Sequence, residues 1–319
     1  MHRIIHRPLE ILREGGPRAL FRKSCSKLNR QFYRNFTTGH FNSSGTSVFE
    51  RDWDNLLILD ACRYDIFEEV NSFRGDLETH CSLGSSSREF VRANFADRTL
   101  HDVVVVSANG WYKKISDTSG KINVDVHDLI VVDNKSVESH KSDIDTVRPD
   151  REWILPEAVT NEACDAIERY PNKRIIVHYH QPHTPYIGPT GKEYAGELPQ
   201  KFDGKEELRT SHEILRRAYR ENLEIVLEEV GGLYPELTGK TVISADHGDL
   251  LGERGFPIPV REYGHPSQAY REELVRVPWF NLPFDERKEI IAESPSDNRK
   301  NDLSIDEVNE RLKKLGYKI

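Results

Sequence analysis

Cysteine is scarce in this sequence: Cys25, Cys62, Cys81 and Cys164 are the only four in 319 residues, and none has the CxxC spacing of a zinc knuckle or redox pair. A thiolate metal site and a disulfide framework are therefore not expected, and a reducing, cytoplasmic compartment is. Long apolar runs are missing too. The strongest, Leu56 to Leu59, Val103 to Val106 and Ile175 to Val177, fall far short of the ~18 residues a membrane span needs and have the length of buried strands. No continuous apolar stretch follows the first basic residues, so no secretion signal is read. No Ser/Gly-rich linker, internal repeat or low-complexity block divides the chain, which favours one catalytic domain with terminal additions.

What is present is the composition of a globular protein, 37% hydrophobic and 31% charged, with a mean hydropathy of -0.65. Its net charge of -8 conceals an asymmetry: residues 1–40 carry nine Lys/Arg against Glu10 and Glu14, a charge of +7 that leaves -15 on the remainder. Ile4, Ile5, Leu9, Ile11, Leu12, Leu20, Phe21 and Leu28 are interleaved with those basic residues. The pattern predicts short amphipathic helices broken near Pro8 and Gly15-Gly16-Pro17. Two roles fit such a segment: packing on its own acidic domain, or lying at an anionic membrane surface, peripheral at the inner membrane face. Nucleic acid is not an expected partner, because the catalytic region is acidic.

From about Asp54 the chain alternates strand, loop and helix, which predicts an α/β fold, a mostly parallel mixed sheet sandwiched between helices. Strands are expected at 55–59, 102–107, 128–132, 174–179, 241–245 and 275–280. A long helix is expected over 206–229, ended by Gly231-Gly232. The boundaries that follow are a basic N-terminal extension over 1–48 and a catalytic domain over 49–285. Within it, 117–153 reads as a loop-rich insertion or cap. Residues 286–319 read as a charged tail with a helix near Ile305 to Leu315.

Four stretches carry chemistry. In TVISADHGDLLGERG, an apolar strand runs into Asp246-His247, where open α/β sheets build their sites. A carboxylate and an imidazole there suit a divalent ion, and Gly248 would let backbone pass close to it; a hydrogen-bonded pair or a helix cap fits as well. In NLLILDACRYD, Asp60 ends another strand, as a ligand or an N-cap. In VHYHQPHTPY, strand alternation places His178 and His180 on one face and leaves His183 on the loop, so one or two of them can reach one ion. His265 lies in a Gly-His-Pro loop before the last expected strand.

SADHGDLLGERG closely resembles the Ser-Asp-His-Gly-Glu, Leu-Gly, Arg-Gly signature of sulfatases in the alkaline phosphatase superfamily; HQPHTPY resembles their His-x-Pro-His-x-Pro-Tyr loop, and VRVPW their Arg-Val-Pro segment. The resemblance spans roughly Asp54 to Leu282, including the Tyr219-containing helix before the Thr241 strand. It implies a helix-flanked mixed sheet and one or two divalent ions (zinc, manganese, magnesium or calcium) beside a covalent nucleophile. Asp60, Asp246 and His247 match metal-ligand positions. His183 and His265 match positions that bind a second ion or the ester oxygens, and either, His183 above all, is a candidate catalytic residue to protonate the leaving oxygen.

The departure is the nucleophile. Sulfatases use a cysteine in Cys-x-Pro-Ser-Arg, and this chain has no such sequence. In its place stands LGSSSREF, similar to the Gly-x-Thr/Ser loop of phosphoryl-transferring branches. Ser85 is favoured by its spacing to Glu89-Phe90, which resembles that of lipoteichoic-acid-synthase-like transferases; Ser87 is the alternative. Arg88, at the same helix start, could hold ester oxygens. The expected function is a metal-dependent hydrolase or transferase of phosphate or sulfate esters through a seryl intermediate, acting on a small-molecule or glycan/lipid ester. A membrane-surface transferase of glycan or lipid head groups and a non-catalytic metal- and anion-binding protein are the alternatives.

Overall fold

Every side chain of the strand NLLIL is buried, Asn55–Leu59 (β1), so both of its faces need cover. The structure is a computed structural model that describes residues 3–36, 41–113, 124–132, 154–198 and 208–295. Among these, seven strands form one sheet in the order β2 (Asp76–Cys81), β9 (Arg276–Asn281), β6 (Thr241–Ser244), β1, β5 (Arg174–Tyr179), β3 (Thr99–Ser107) and β4 (Asp125–Val131). β6, β1, β5, β3 and β4 run parallel, and β9 is antiparallel to both β6 and β2. The expected α/β sheet, mostly parallel and sandwiched between helices, is thus the one found.

Strand alternation divides the core in two. Leu57, Leu59, Val104, Val106, Ile175 and Val177 face α2 (Tyr64–Val70), α4 (Pro156–Arg169) and α6 (His212–Leu233). Leu56, Ile58, Val103, Val105 and Ile176 face Phe90, Val91 and Phe95 of α3 (Ser87–Phe95), with Trp53, Trp111 and Tyr112 beside them. At roughly 2 kcal/mol for each fully buried Leu, Ile or Phe, this double layer is the main stabilising term. Smaller elements complete the described chain: α1 (Arg3–Phe36), α5 (Pro189–Glu193), a hairpin of β7 (Leu250–Arg254) and β8 (Arg261–Gly264), and α7 (Glu272–Val275).

Several expectations are corrected. α6 does not stop at Gly231-Gly232 but runs through them to Leu233, where Tyr234-Pro235 tightens the chain into a 3₁₀ turn. Its start is set by Ser211, whose hydroxyl accepts from the Ile214 N–H. α1 breaks at Gly16, which has a left-handed φ of 67°, but continues through Pro8. Within the segment read as a loop-rich cap, residues 125–131 form β4; its remaining parts beyond 124–132, and the helix expected near 305–315, lie outside the described residues. Residues 284–293 fold back under the amino ends of the strands, with the Ile291 N–H on the Asn172 carbonyl and the Glu293 N–H on that of His101.

Candidate active site

Because β1, β6, β5 and β3 are parallel, their carboxyl ends open on one side of the sheet. Asp60 follows β1, Asp246 follows β6, His178 lies near the end of β5 and Asn109 follows β3. Asp60, Asp246, His247, His178 and Asn109 are all fully buried. Ligand atoms of Asp60, His178 and Asp246 lie within 4.8 Å of one another.

The turn after Asp60 is held under strain. Ala61 has φ 61°, a conformation a residue with a Cβ rarely adopts. Its N–H donates to Asp246 Oδ1 at 3.0 Å, and its carbonyl accepts from the Tyr219 hydroxyl at 2.6 Å. Tyr219 in turn accepts from the Arg63 N–H at 2.9 Å. The Arg63 guanidinium, itself buried, binds Asp65, Glu253 and the Asp249 carbonyl, so the two carboxylate-bearing loops are tied together. Asp246 Oδ1 also accepts from the His247 N–H at 2.9 Å, whereas Asp246 Oδ2 has no hydrogen-bond donor.

The surrounding imidazoles make the imbalance sharper. A backbone carbonyl can only accept, so each ring nitrogen bonded to one must carry its proton. His247 Nδ1 donates to Gly248 O at 2.8 Å, His180 Nε2 to Thr184 O at 3.0 Å, and His183 Nδ1 to Thr184 O at 2.7 Å. The other nitrogen of each neutral ring therefore carries a lone pair and can only accept. His247 Nε2 is 3.6 Å from Asp60 and 3.4 Å from Asp246; His180 Nδ1 is 3.8 Å from Asp60; His178 Nε2 is 3.7 Å from Asp246. Burial pushes His178 and His180 down to about 4 and His247 to about 3, and holds His183 well below the ordinary imidazole value. These rings are neutral near pH 7 and cannot balance two buried carboxylates. Among orphaned polar atoms, His178 Nε2, His180 Nδ1 and Asp246 Oδ2 all belong to this cluster. Oxygen and imidazole donors left in this state fit a divalent cation.

The two serines are placed differently. Ser87 is the first residue of α3, and its hydroxyl lies 3.4 and 3.5 Å from the Asp60 oxygens and 3.3 Å from His247 Nε2. Asn109 Nδ2 donates to Asp60 Oδ2 at 3.0 Å beside it. The Ser85 hydroxyl instead lies 3.0 Å from both Glu89 Oε2 and the Pro266 carbonyl, with its one proton shared between them. Glu89 also accepts from the Ser85 and Gln268 N–H groups, so this pair latches the start of α3 to the loop after His265. Arg88 is exposed on α3, with its guanidinium 5.5 Å from the Trp111 ring centre. His183 and His265 join the cluster through ring contacts: His183 is 5.0 Å from both His180 and His265, and His265 is 4.5 Å from His247. His265 Nδ1 also lies 3.5 Å from Asp249 Oδ1.

Gly248 is required for another reason than the one read from sequence. A Cβ there would meet the Glu273 carbonyl at 2.1 Å, so the glycine admits the backbone of α7. His178 and Asn109 are site members that sequence motifs did not assign; alternation along β5 was the one available signal for His178.

No protein-family model and no curated protein sequence matches this chain. Among solved structures, it is similar to the C-terminal periplasmic domain of phosphoethanolamine transferase EptC from Campylobacter jejuni, with 16% identity, 72% of this chain and 78% of that one covered, and a TM-score of 0.44. The corresponding EptC domain from Escherichia coli, solved with zinc, gives 11% identity, 72% coverage of each chain and a TM-score of 0.45. A candidate sulfatase from Bacteroides thetaiotaomicron gives 13% identity, 83% and 71% coverage and a TM-score of 0.38. These are members of the sulfatase-like branch that the motifs resemble. The likeness is one of fold and identifies no activity. It does correct the cytoplasmic expectation, and with it the inner membrane face, because two of these folds are periplasmic domains. The thiols that suggested a reducing compartment are buried or half-buried and form no disulfide, a state that either compartment permits. No helix among the described residues is long and apolar enough to cross a membrane.

Proposed function

We propose that this chain is a metal-dependent enzyme that transfers or hydrolyses the phosphoryl group of an ester through Ser87. The observation that carries the reading is the buried group of Asp60, Asp246 and His178, in which Asp246 Oδ2 and His178 Nε2 have no hydrogen-bond partner, with the Ser87 hydroxyl against it. Asp60, Asp246 and His178 would hold the cation, with His247 beside them. When bound, it supplies the positive charge that eases deprotonation of a hydroxyl and offsets charge growing on the ester oxygens.

The chain's own residues do the rest. Asp60 and His247 Nε2 are the acceptors within reach of the Ser87 proton. Asn109 orients Asp60, and the first turn of α3 offers backbone N–H groups to the anionic ester. Attack by Ser87 Oγ forms the seryl ester as the leaving oxygen departs. Water or an acceptor hydroxyl then takes the group, so hydrolase and transferase differ in what is admitted second. His265, whose side chain keeps 17% exposure, is placed to exchange a proton with that acceptor. Ser87 is preferred to Ser85, the residue favoured on spacing, because the Ser85 hydroxyl is committed to Glu89 and Pro266. Phosphate is preferred to sulfate because the formylglycine cysteine motif is missing. The substrate is read as a small-molecule, glycan or lipid ester, and the basic N-terminal segment as a face toward anionic lipid.

The test is an assay of protein stripped and reloaded with manganese, zinc or magnesium, on an aryl phosphate monoester, a phosphate diester and a sulfate ester. Metal-dependent turnover of one ester, lost in Ser87→Ala and Asp246→Ala, with a quenched adduct on the Ser87 peptide, is the expected result. Turnover that survives Ser87→Ala, or needs no metal, would overturn it.

A further inference from the structure

We propose that the face formed by α1 and the β7–β8 hairpin docks on an anionic lipid bilayer, and that it thereby presents the site to an ester carried in that surface. The second half of this statement rests on the ester-transfer reading above; the first does not.

The contacts of α1 settle which side of the helix is turned inward. Asn29 is fully buried and donates to the Ile258 carbonyl at 2.9 Å and to Glu262 at 3.0 Å, while the Ile258 N–H donates back to Asn29 Oδ1 at 2.9 Å. Cys25, one turn earlier, is buried, and Arg22 lies over the Tyr263 ring. A Cβ at Gly255 would meet Asn29 Nδ2 at 2.3 Å, so the hairpin is shaped to receive this helix. The flank beside that inward side is left with Phe21 at 66% and Leu28 at 59% exposure, seven residues apart and therefore on one stripe. Phe32 carries that stripe to Phe256 at the hairpin turn, 5.4 Å between ring centres, and Phe256 is 60% exposed.

The charge around this stripe has one sign. Lys27 and Arg34 on α1 and Arg254 and Arg261 on the hairpin are exposed. From Leu20 to Arg34 there is no acidic residue at all. The hairpin has two, and both are engaged: Glu262 is buried against Asn29 and Arg271, and Glu253 pairs with Arg63 at 2.5 Å. Exposed aromatic and aliphatic side chains beside exposed cations, on a chain otherwise strongly acidic, are complementary to an anionic lipid surface and orient the molecule toward it. The hairpin joins Asp249 to His265, so the docked face is continuous with the segment that closes the site.

The experiment is sedimentation of the full chain with vesicles of phosphatidylcholine alone and with roughly one third phosphatidylglycerol. The chain is expected to bind the anionic vesicles, not the neutral ones, and to come off at about 0.5 M salt. Phe21→Ser/Leu28→Ser/Phe256→Ser should abolish binding, and Lys27→Glu/Arg34→Glu/Arg254→Glu should weaken it on the order of tenfold or more. Turnover of a soluble aryl ester should be unchanged in both variants, which also reports that they fold. If that turnover persists while the parent protein ignores anionic vesicles, or binds them as well as the variants do, the docking face is refuted and the ester reading stands. A parent dimer that the triple serine variant converts to monomer in the ultracentrifuge would equally refute it, by assigning the stripe to a second copy of the chain.

Discussion

The two ends of the central sheet are built from the same kinds of residue and treat them oppositely. At the amino end, Asp54 is 1% exposed, yet Arg287 Nε and Nη2 and the backbone N–H groups of Lys240 and Lys288 all donate to it. Lys173 Nζ and Lys288 Nζ are likewise matched, by the Ile291 carbonyl and Glu293 and by Asn55 and the Lys173 carbonyl. At the carboxyl end, Asp246 Oδ2, His178 Nε2 and His180 Nδ1 are buried with no hydrogen-bond partner. An arrangement whose donors and acceptors balance stabilises the fold by itself; one that does not is complete only with something added. The difference separates a structural charge cluster from a functional one more reliably than burial does.

The contrast breaks most visibly at Asp246. Asp246→Asn keeps an acceptor for the Ala61 and His247 N–H groups but removes the uncompensated charge. Ester turnover is expected to fall by on the order of a thousandfold or more, while the metal-free protein melts no lower than the parent in calorimetry. A large loss of metal-free stability would mean that this end too is balanced by itself.

Ser87→Ala should be as damaging to turnover as Asp246→Asn while retaining metal, because it removes the attacking oxygen and no cation ligand. Ser85→Ala should cost only about tenfold in kcat, since it loosens the latch between α3 and the His265 loop. Steady-state kinetics with elemental analysis of the same samples distinguishes the two serines.

At the amino end the expectation inverts. Arg287→Ala leaves Asp54 without its main counter-charge and should cost about 1–3 kcal/mol, read as a melting point lower by several degrees, with turnover below that temperature unchanged. Arg287 is half-exposed, which holds the loss below that of a fully buried pair.

The smallest expected effect is on acid sensitivity. The Arg287 hydrogen bond holds Asp52 below its ordinary value of 3.8; burial pushes Asp54 up, but Arg287 and the Lys240 and Lys288 N–H groups outweigh it and hold it below 3.8 as well. Their contribution is fully present above about pH 4 and is lost as pH falls through the depressed values. Denaturant titrations below pH 4 should therefore show a shallower fall for Arg287→Ala than for the parent.

Legibility in the sequence followed the same physics. β1, β3, β4, β5, β6 and β9 could be read within three residues, because each contains a short apolar run. β2 could not: DLETHC is a mostly exposed edge strand whose pairing with β9 is decided by that neighbour. The β7–β8 hairpin was hidden by its charged positions. In the site, Asp60, Asp246 and His247 were visible as polar residues ending apolar strands. His178 was one of three histidines in six positions until the order β6-β1-β5 set it beside Asp246. The choice between Ser85 and Ser87 is a matter of where α3 begins, a register that spacing to Glu89 does not fix.

The central claim is that the carboxyl end of the sheet is completed by a divalent cation, and metal binding tests it without assuming any substrate. Purified chain, stripped with chelator and dialysed against micromolar zinc, manganese or magnesium, should retain at least one equivalent by elemental analysis, and Asp246→Asn should retain none at that site. A parent protein that retains no metal, or one that binds as well after the substitution, would contradict the account.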